Sequence, residues 1–315
     1  MILEIKNLKK YFDIGRGKKV HAVDDISLNI NEKEIVGLVG ESGSGKTTLG
    51  RTVVGLWDKS AGEIRYKGEK LPKNYSARDF KKYAKEMQLI FQDPYSSLNP
   101  RMTVKEIVAE GLRTIGGFSS AQMNDKVAEW LRKVGLEPDH MSRYPHEFSG
   151  GQRQRIGIAR AMIVEPKFVV CDEPISALDV SVQAQVINLL EDLKKSMGLT
   201  LLFIAHDLSM VRYVSDRMAV MYLGAMVELG PASEVYFRPK HPYTELLIKA
   251  NPEPDPRLEK TRQHSLIKGE IPSPINVKAG CRFAGRCPKV MPHCATETPK
   301  WKSVGKEHFV ACHLY

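Results

Sequence analysis

A glycine-rich stretch with a lysine, two acids closing an apolar run, and four late cysteines could do chemistry here. Gly40-Glu41-Ser42-Gly43-Ser44-Gly45-Lys46-Thr47-Thr48 fits the pattern of Gly, four residues, then Gly-Lys-Ser/Thr. Its glycines let the backbone turn with N–H groups pointing inward, where they can wrap the oxygens of a polyphosphate. Lys46 supplies a mobile positive charge for the terminal phosphates, and the Thr47 hydroxyl can ligate Mg²⁺. Phe168-Val169-Val170-Cys171-Asp172-Glu173 is an apolar run ending in two carboxylates. One can hold a metal through its waters while its neighbour polarises an attacking water. Together these stretches point to a bound nucleoside triphosphate.

Other candidates say less on their own. Ser149-Gly150-Gly151-Gln152 heads a helical stretch and reads as a second anion-binding helix start or as an ordinary capped helix. His206 follows the apolar residues 201–205, a position that suits a structural hydrogen-bonder as well as a catalyst. Gln92 closes the strand-like residues 87–91, where sheet gives way to loop. Tyr11 and Phe12 either stack on a purine ring or pack in the core.

These residues need positioning elements. Ile35-Val36-Gly37-Leu38-Val39 reads as a buried strand feeding the glycine-rich loop, and residues 47–55 as a helix whose unpaired N–H groups favour an anion. Residues 2–34 alternate apolar stretches with turn residues, as an antiparallel strand set does, and residues 63–66 and 87–91 are further strands. From 103 to 135 the period turns helical, with Val104, Ile107, Val108 and Leu112 on one face and Val127, Leu131 and Val134 on another. After Asp179 a helix repeats Val182, Val186, Leu189, Leu190 and Leu193, and residues 217–229 form a strand pair turning near Gly224.

Beyond Gly230-Pro231 the composition shifts. Residues 231–315 hold 11 of the 18 prolines, and from Ala232 onward 14 Lys+Arg against 8 Asp+Glu give +6 of the chain's +10. That composition predicts an extended, Pro-rich appendage with little helix. Cys171 stands alone, whereas Cys281, Cys287, Cys294 and Cys312 follow C-x5-C-x6-C-x17-C. A reducing compartment argues against disulfides and toward a metal, with free thiols as the alternative; the C-x2-C knuckles typical of structural zinc are missing.

At 315 residues the chain can bury a full core and a smaller appendage. Its +10 charge suits nucleic acid, anionic lipid or nucleotide partners, or simply a solvated basic surface. No run approaches 18 apolar residues, and the opening Met1-Ile2-Leu3-Glu4-Ile5-Lys6 lacks a secretory layout. A cytoplasmic location is expected, any membrane work belonging to a partner.

In this order, the phosphate loop, Gln92, Ser149-Gly150-Gly151-Gln152, Asp172-Glu173, Ser176-Ala177-Leu178-Asp179 and His206 resemble the motif series of ABC transporter ATP-binding subunits. The resemblance runs to about residue 230. It implies an α/β P-loop NTPase fold with an antiparallel β subdomain and a helical subdomain at about 93–160, the whole spanning 1–230, with the appendage at 231–315. It implies head-to-tail pairing with two ATP molecules sandwiched between subunits. Tyr11 would stack on adenine. Ser42, Gly43, Ser44, Gly45, Lys46 and Thr48 would hold phosphates, and Thr47 with Gln92 would bind Mg²⁺. Asp172 would orient the metal's water shell, Glu173 would be the general base, and His206 would meet the γ-phosphate. Ser149, Gly150, Gly151 and Gln152 would face the partner's nucleotide, and Asp179 would reach across the dimer. Phe148, Cys171 and Ile175 depart from the commonest wording, but all are apolar or near-apolar swaps.

His241-Pro242-Tyr243-Thr244, Gly269-Glu270-Ile271-Pro272-Ser273-Pro274, Cys281-Arg282-Phe283 and Arg286-Cys287-Pro288 resemble the dipeptide/oligopeptide importer branch. Gln92-Asp93-Pro94-Tyr95-Ser96-Ser97-Leu98-Asn99-Pro100 is similar to its "F" type ATPase, whose companion is commonly a "D" type subunit. The implied partners are that second ATPase or a second copy, two transmembrane permeases and an extracytoplasmic solute-binding protein, with no specific nucleic acid. The implied place is the cytoplasmic face of the cell membrane. Nickel and saccharide importers share the branch, and a soluble ribosome- or nucleic-acid-associated ABC ATPase is the rival from another class. Within the branch the four tail cysteines are similar to ligands of a 4Fe–4S cluster, with zinc as the alternative.

Overall fold

The computed structural model describes residues 1–250 and 270–315. The proline run from Pro252 to Pro256, and Gly269, lie outside the described residues. In chain order come β1 (Leu3–Asp13), β2 (Lys19–Ile30), β3 (Ile35–Val39), α1 (Lys46–Val53), β4 (Ala61–Tyr66), β5 (Glu69–Lys70), α2 (Ala77–Tyr83) and β6 (Met87–Ile90). The helical stretch follows as α3 (Val104–Val108), α4 (Glu110–Ile115), α5 (Ser120–Lys133) and α6 (Gly150–Met162). Then come β7 (Phe168–Asp172), α7 (Val180–Met197), β8 (Thr200–Ile204), α8 (Leu208–Val214), β9 (Arg217–Tyr222) and β10 (Ala225–Pro231). The chain closes with α9 (Ala232–Phe237), α10 (Pro242–Ala250), β11 (Trp301–Gly305) and β12 (His308–Ala311).

Among the described residues, β2-β1-β4-β5 form one sheet and β11-β12-β10-β9-β3-β8-β7-β6 the other. β1 pairs antiparallel with both β2 and β4, as the alternation of residues 2–34 predicts. In the larger sheet, β9, β3, β8, β7 and β6 run parallel. All five residues of β3, β7 and β8 are buried, because these strands carry neighbours on both faces and both edges. Parallel strands point their C-terminal ends to one edge of the sheet. The loops after β3, β6, β7 and β8 therefore emerge side by side, where open α/β sheets bind ligands.

The helices have local reasons to begin where they do. Thr103, Ser119 and Ser149 each cap the following helix, with Glu106, Gln122 and Gln152 returning a hydrogen bond to the cap backbone. The expected inward faces of residues 104–134 are buried, with Trp130 added.

The tail differs from its expected form. α9 and α10 are helices, so "little helix" is wrong for residues 232–250. Pro242 opens α10, and proline at a first helical position loses no hydrogen bond. β12 pairs with β10 through Glu228↔Val310 and Leu229↔Phe309, extending the main sheet. Buried Glu228 accepts from the N–H groups of Lys240 (2.8 Å) and His241 (2.9 Å) and meets His308 Nε2 at 2.7 Å, tying two tail segments to one carboxylate. Val235, Tyr243 and Phe283 belong to the same core as β3 and β7. No helix among the described residues is long and apolar enough to cross a membrane.

Candidate functional site

The glycine-rich loop connects β3 to α1, and its backbone fits no other residue type at two points. Gly45 lies at φ +101°, where an added Cβ would meet Ala22 O at 1.9 Å; at Gly40 it would meet Met221 O at 2.1 Å. Lys46 is buried and folds back, its ammonium donating to Gly40 O (2.7 Å) and Glu41 O (3.0 Å). Burial pulls its pKa below the usual lysine value, against the opposing pull of Glu173, Asp172 and Glu41.

One cavity of about 310 Å³ gathers Ser42, Gly43, Gly45, Lys46, Thr47, Thr48, Gln92, Glu173 and His206, with Val20, Ala22 and Pro274 completing its wall. Ser44 lies buried beside it. Thr47 Oγ1 donates to Asp172 Oδ1 at 2.7 Å, and Arg51 Nη2 lies 3.7 Å from Asp172 Oδ2. Asp172 Oδ2 is buried without a hydrogen-bond partner, and burial raises the carboxyl pKa. An orphaned carboxylate oxygen opposite a hydroxyl fits a divalent cation, which would offset that desolvation. Gln92 Nε2 donates to Glu173 Oε2 at 2.7 Å, and His206 Nδ1 stands 3.9 Å from the same oxygen. Glu173 adopts φ +45°, an unusual conformation for a glutamate, stored where β7 turns into its loop.

Ser149, Gly150, Gly151, Gln152 and Asp179 do not line this cavity. Ser149 caps α6, Asp179 precedes α7, and the two stretches pack together: an added Cβ on Gly151 would meet Val182 Cγ1 at 2.4 Å. Ser149 and Asp179 are exposed, and Val180 beside them is 82% exposed. Arg153 lies over the Tyr95 ring at 4.1 Å and Arg160 Nη1 donates to Ser97 O at 2.6 Å, joining α6 to the loop after Gln92.

Tyr11 also stands outside the cavity wall. Its ring stacks on His21 (centroids 4.1 Å apart) and its hydroxyl donates to Asp24. That hydrogen bond and burial raise its pKa, with burial the larger cause.

The four tail thiols lie within electrostatic reach of one another. Cys281 N donates to Cys294 O at 2.8 Å, and the other three thiols act electrostatically on Cys281. Burial chiefly pushes Cys281 up to about 11 and also raises Cys287 and Cys312. Yet no three His, Cys, Asp or Glu side chains among the described residues are arranged to hold a metal ion. Neither a 4Fe–4S cluster, which takes four cysteinates, nor the zinc alternative therefore finds support in this arrangement.

The sequence marked Arg282, Arg286, Tyr243 and Pro274 only as signs of the importer branch and missed their contacts: Arg286 and Tyr243 reach the phosphate loop at Glu41, while Arg282 and Pro274 reach Asp24 and His21. Their partners lie up to 258 positions away, so spacing gave no cue beyond two arginines lying between cysteines.

A strand–loop–helix phosphate cradle with an acidic strand end beside it defines a P-loop nucleoside triphosphatase. The family described as "ABC transporter" matches residues 23–176, and that described as "Oligopeptide/dipeptide transporter, C-terminal region" matches residues 227–294. OppF of Haemophilus influenzae, an oligopeptide transport ATP-binding protein, is 52% identical over 310 residues, covering 98% of this chain and 93% of its own. OppF of Salmonella typhimurium is 50% identical over 321 residues, covering 99% and 96%. Among solved structures, the dimeric ATP-binding cassette MJ0796 bound to ADP and Pi is 27% identical at TM-score 0.67, covering 73% of this chain and 99% of that one. The chain belongs to the ATP-binding subunits of ABC transporters; it is an ATPase, with ATP and Mg²⁺ its expected cofactors.

Proposed function

We propose that this chain powers import of di- or oligopeptides by closing and opening a nucleotide-sandwich dimer. The observation that carries it is a cavity at the sheet's C-terminal edge that gathers Lys46, Thr47, Gln92, Glu173 and His206 beside Asp172. The oligopeptide names of its near-full-length relatives supply the cargo class.

The loop amides of Ser42 to Thr48 and Lys46 cradle the phosphates, and Tyr11, oriented by Asp24 and His21, turns its ring toward the adenine. Thr47 and Gln92 would hold Mg²⁺ and Asp172 would orient its water shell, the ion supplying positive charge against the phosphates. Glu173 accepts the proton of the attacking water, with Gln92 fixing its carboxylate and His206 reaching the γ-phosphate. Ser149 to Gln152 and Asp179 cover the nucleotide of the opposite subunit, which is supported by the exposure of Ser149 and Asp179 away from their own cavity and by the dimeric state of the MJ0796 cassette. That opposite subunit is a paralogue or a second copy. Residues 1–230 form the ATPase unit, with its helical subdomain at about 93–160 meeting two permeases at the cytoplasmic membrane face; a solute-binding protein delivers cargo outside.

Residues 231–315 carry the four thiols, and a 4Fe–4S cluster is their proposed guest: it is larger than one ion and uses four cysteinates. Anaerobically purified protein should be brown, with absorbance near 400 nm that bleaches on reduction and is absent from Cys287→Ser. Colourless, iron-free protein contradicts this.

For the transport reading, purification from membranes should bring along two spanning subunits, and vesicles rebuilt from them with the solute-binding protein should take up labelled oligopeptide only with ATP. Recovery with ribosomes or nucleic acid instead overturns it.

A further inference from the structure

Glu41, the second residue of the phosphate loop, is gripped on three sides. Its carbonyl accepts from Lys46 Nζ (3.0 Å), its N–H donates to the Tyr243 hydroxyl (2.8 Å), and its carboxylate takes both Arg286 nitrogens, Nη1 at 2.7 Å and Nη2 at 3.0 Å. Two of the three grips come from the tail. The Arg286 side chain is only 6% exposed, and its Nη1 also donates to the Tyr222 hydroxyl at 3.2 Å. Phe283 packs edge-on against Tyr222 (5.2 Å) and touches the Tyr243 ring, so the grip is braced by an aromatic cluster rather than a free arm.

The same short tail segment reaches the other side of the cavity. Arg282 donates to Asp24, the carboxylate that receives the Tyr11 hydroxyl, and to Leu223 O. Pro274 O accepts from His21 N at 2.9 Å and Pro274 lines the cavity itself.

We propose that Arg286 is a positioning residue for nucleotide binding: it fixes the start of the phosphate loop and neutralises the Glu41 carboxylate. This inference rests on the reading of that loop as the ATP site. Two physical effects follow from it. A loop held in shape before the ligand arrives loses less entropy on binding. An unpaired carboxylate in the same loop would repel a triphosphate, whereas a bidentate guanidinium cancels that charge in a fixed geometry. The action is on affinity, since Arg286 touches neither Glu173 nor Gln92 in this arrangement.

The test measures ATP affinity with a fluorescent analogue, and KM and kcat for hydrolysis, on the full chain. Arg286→Ala should raise Kd and KM roughly tenfold, the size of a lost charge-assisted hydrogen bond, with kcat at saturation nearly unchanged. Arg286→Lys should recover part of the loss, because a lysine restores charge without the fork. In a Glu41→Gln background, which keeps the loop's shape and removes the repelling charge, Arg286→Ala should add less than about twofold. Unchanged affinity in a folded Arg286→Ala variant, or the same loss with Glu41→Gln present, overturns the proposal. If Arg286→Ala does not fold, the Arg286→Lys affinity decides: a partial loss supports the proposal, and a wild-type value overturns it. Lys46→Ala measured alongside separates the two levels: if it binds ATP normally the site reading itself fails, and if it alone loses binding only the role of Arg286 fails.

Discussion

Glu173→Gln binds ATP as tightly as the unaltered chain and nearly stops turning over. The carboxylate stands at the end of β7 with Oε2 held by Gln92 Nε2, so an amide keeps the volume and the approach while losing the proton acceptor. Removing a general base costs about 10²–10⁴ in rate, on the order of 3–5 kcal/mol in the barrier. Hydrolysis assayed beside analogue binding checks both halves of the expectation. Turnover that survives the substitution would assign the base elsewhere, and lost affinity would mean that Glu173 holds ground-state charge.

Lys46→Ala should fail one step earlier, at binding. The ammonium rests on Gly40 O and Glu41 O, poised where terminal phosphates arrive, and Glu173 and Asp172 both act on it electrostatically. Its loss removes a charge-assisted contact to phosphate and leaves those acids facing a polyanion. Affinity should fall roughly 10- to 100-fold, from the usual strength of hydrogen bonds to charged groups. Titration with a fluorescent ATP analogue measures this directly.

The phosphate cradle was legible because every part of it is local. An apolar strand, glycines needed at positive φ, and a lysine opening a helix all lie within residues 35–53. The cap at Ser149 was legible for the same reason: Gln152 sits three residues on and closes the capping box. Gathering these pieces at one edge followed from the resemblance and needed the parallel register of β3, β8, β7 and β6, which spacing does not encode. The tail resisted most. Its prolines suggested an extended strap, yet Pro242 starts a helix, and β12 finds Glu228 and Leu229 some 80 residues away. Ion pairs such as Arg286–Glu41 depend on that long-range docking, so residue order alone was silent about them.

The central claim is a triphosphate shared between the phosphate loop of one subunit and the Ser149 helix of another. The most direct measurement is the mass of Glu173→Gln by light scattering with ATP and Mg²⁺, alone and mixed with its companion ATPase. The account predicts about twice the 35.4 kDa of one chain with nucleotide, falling back to one chain without it and with Ser149→Arg. A single-chain mass under every condition, companion included, would contradict it.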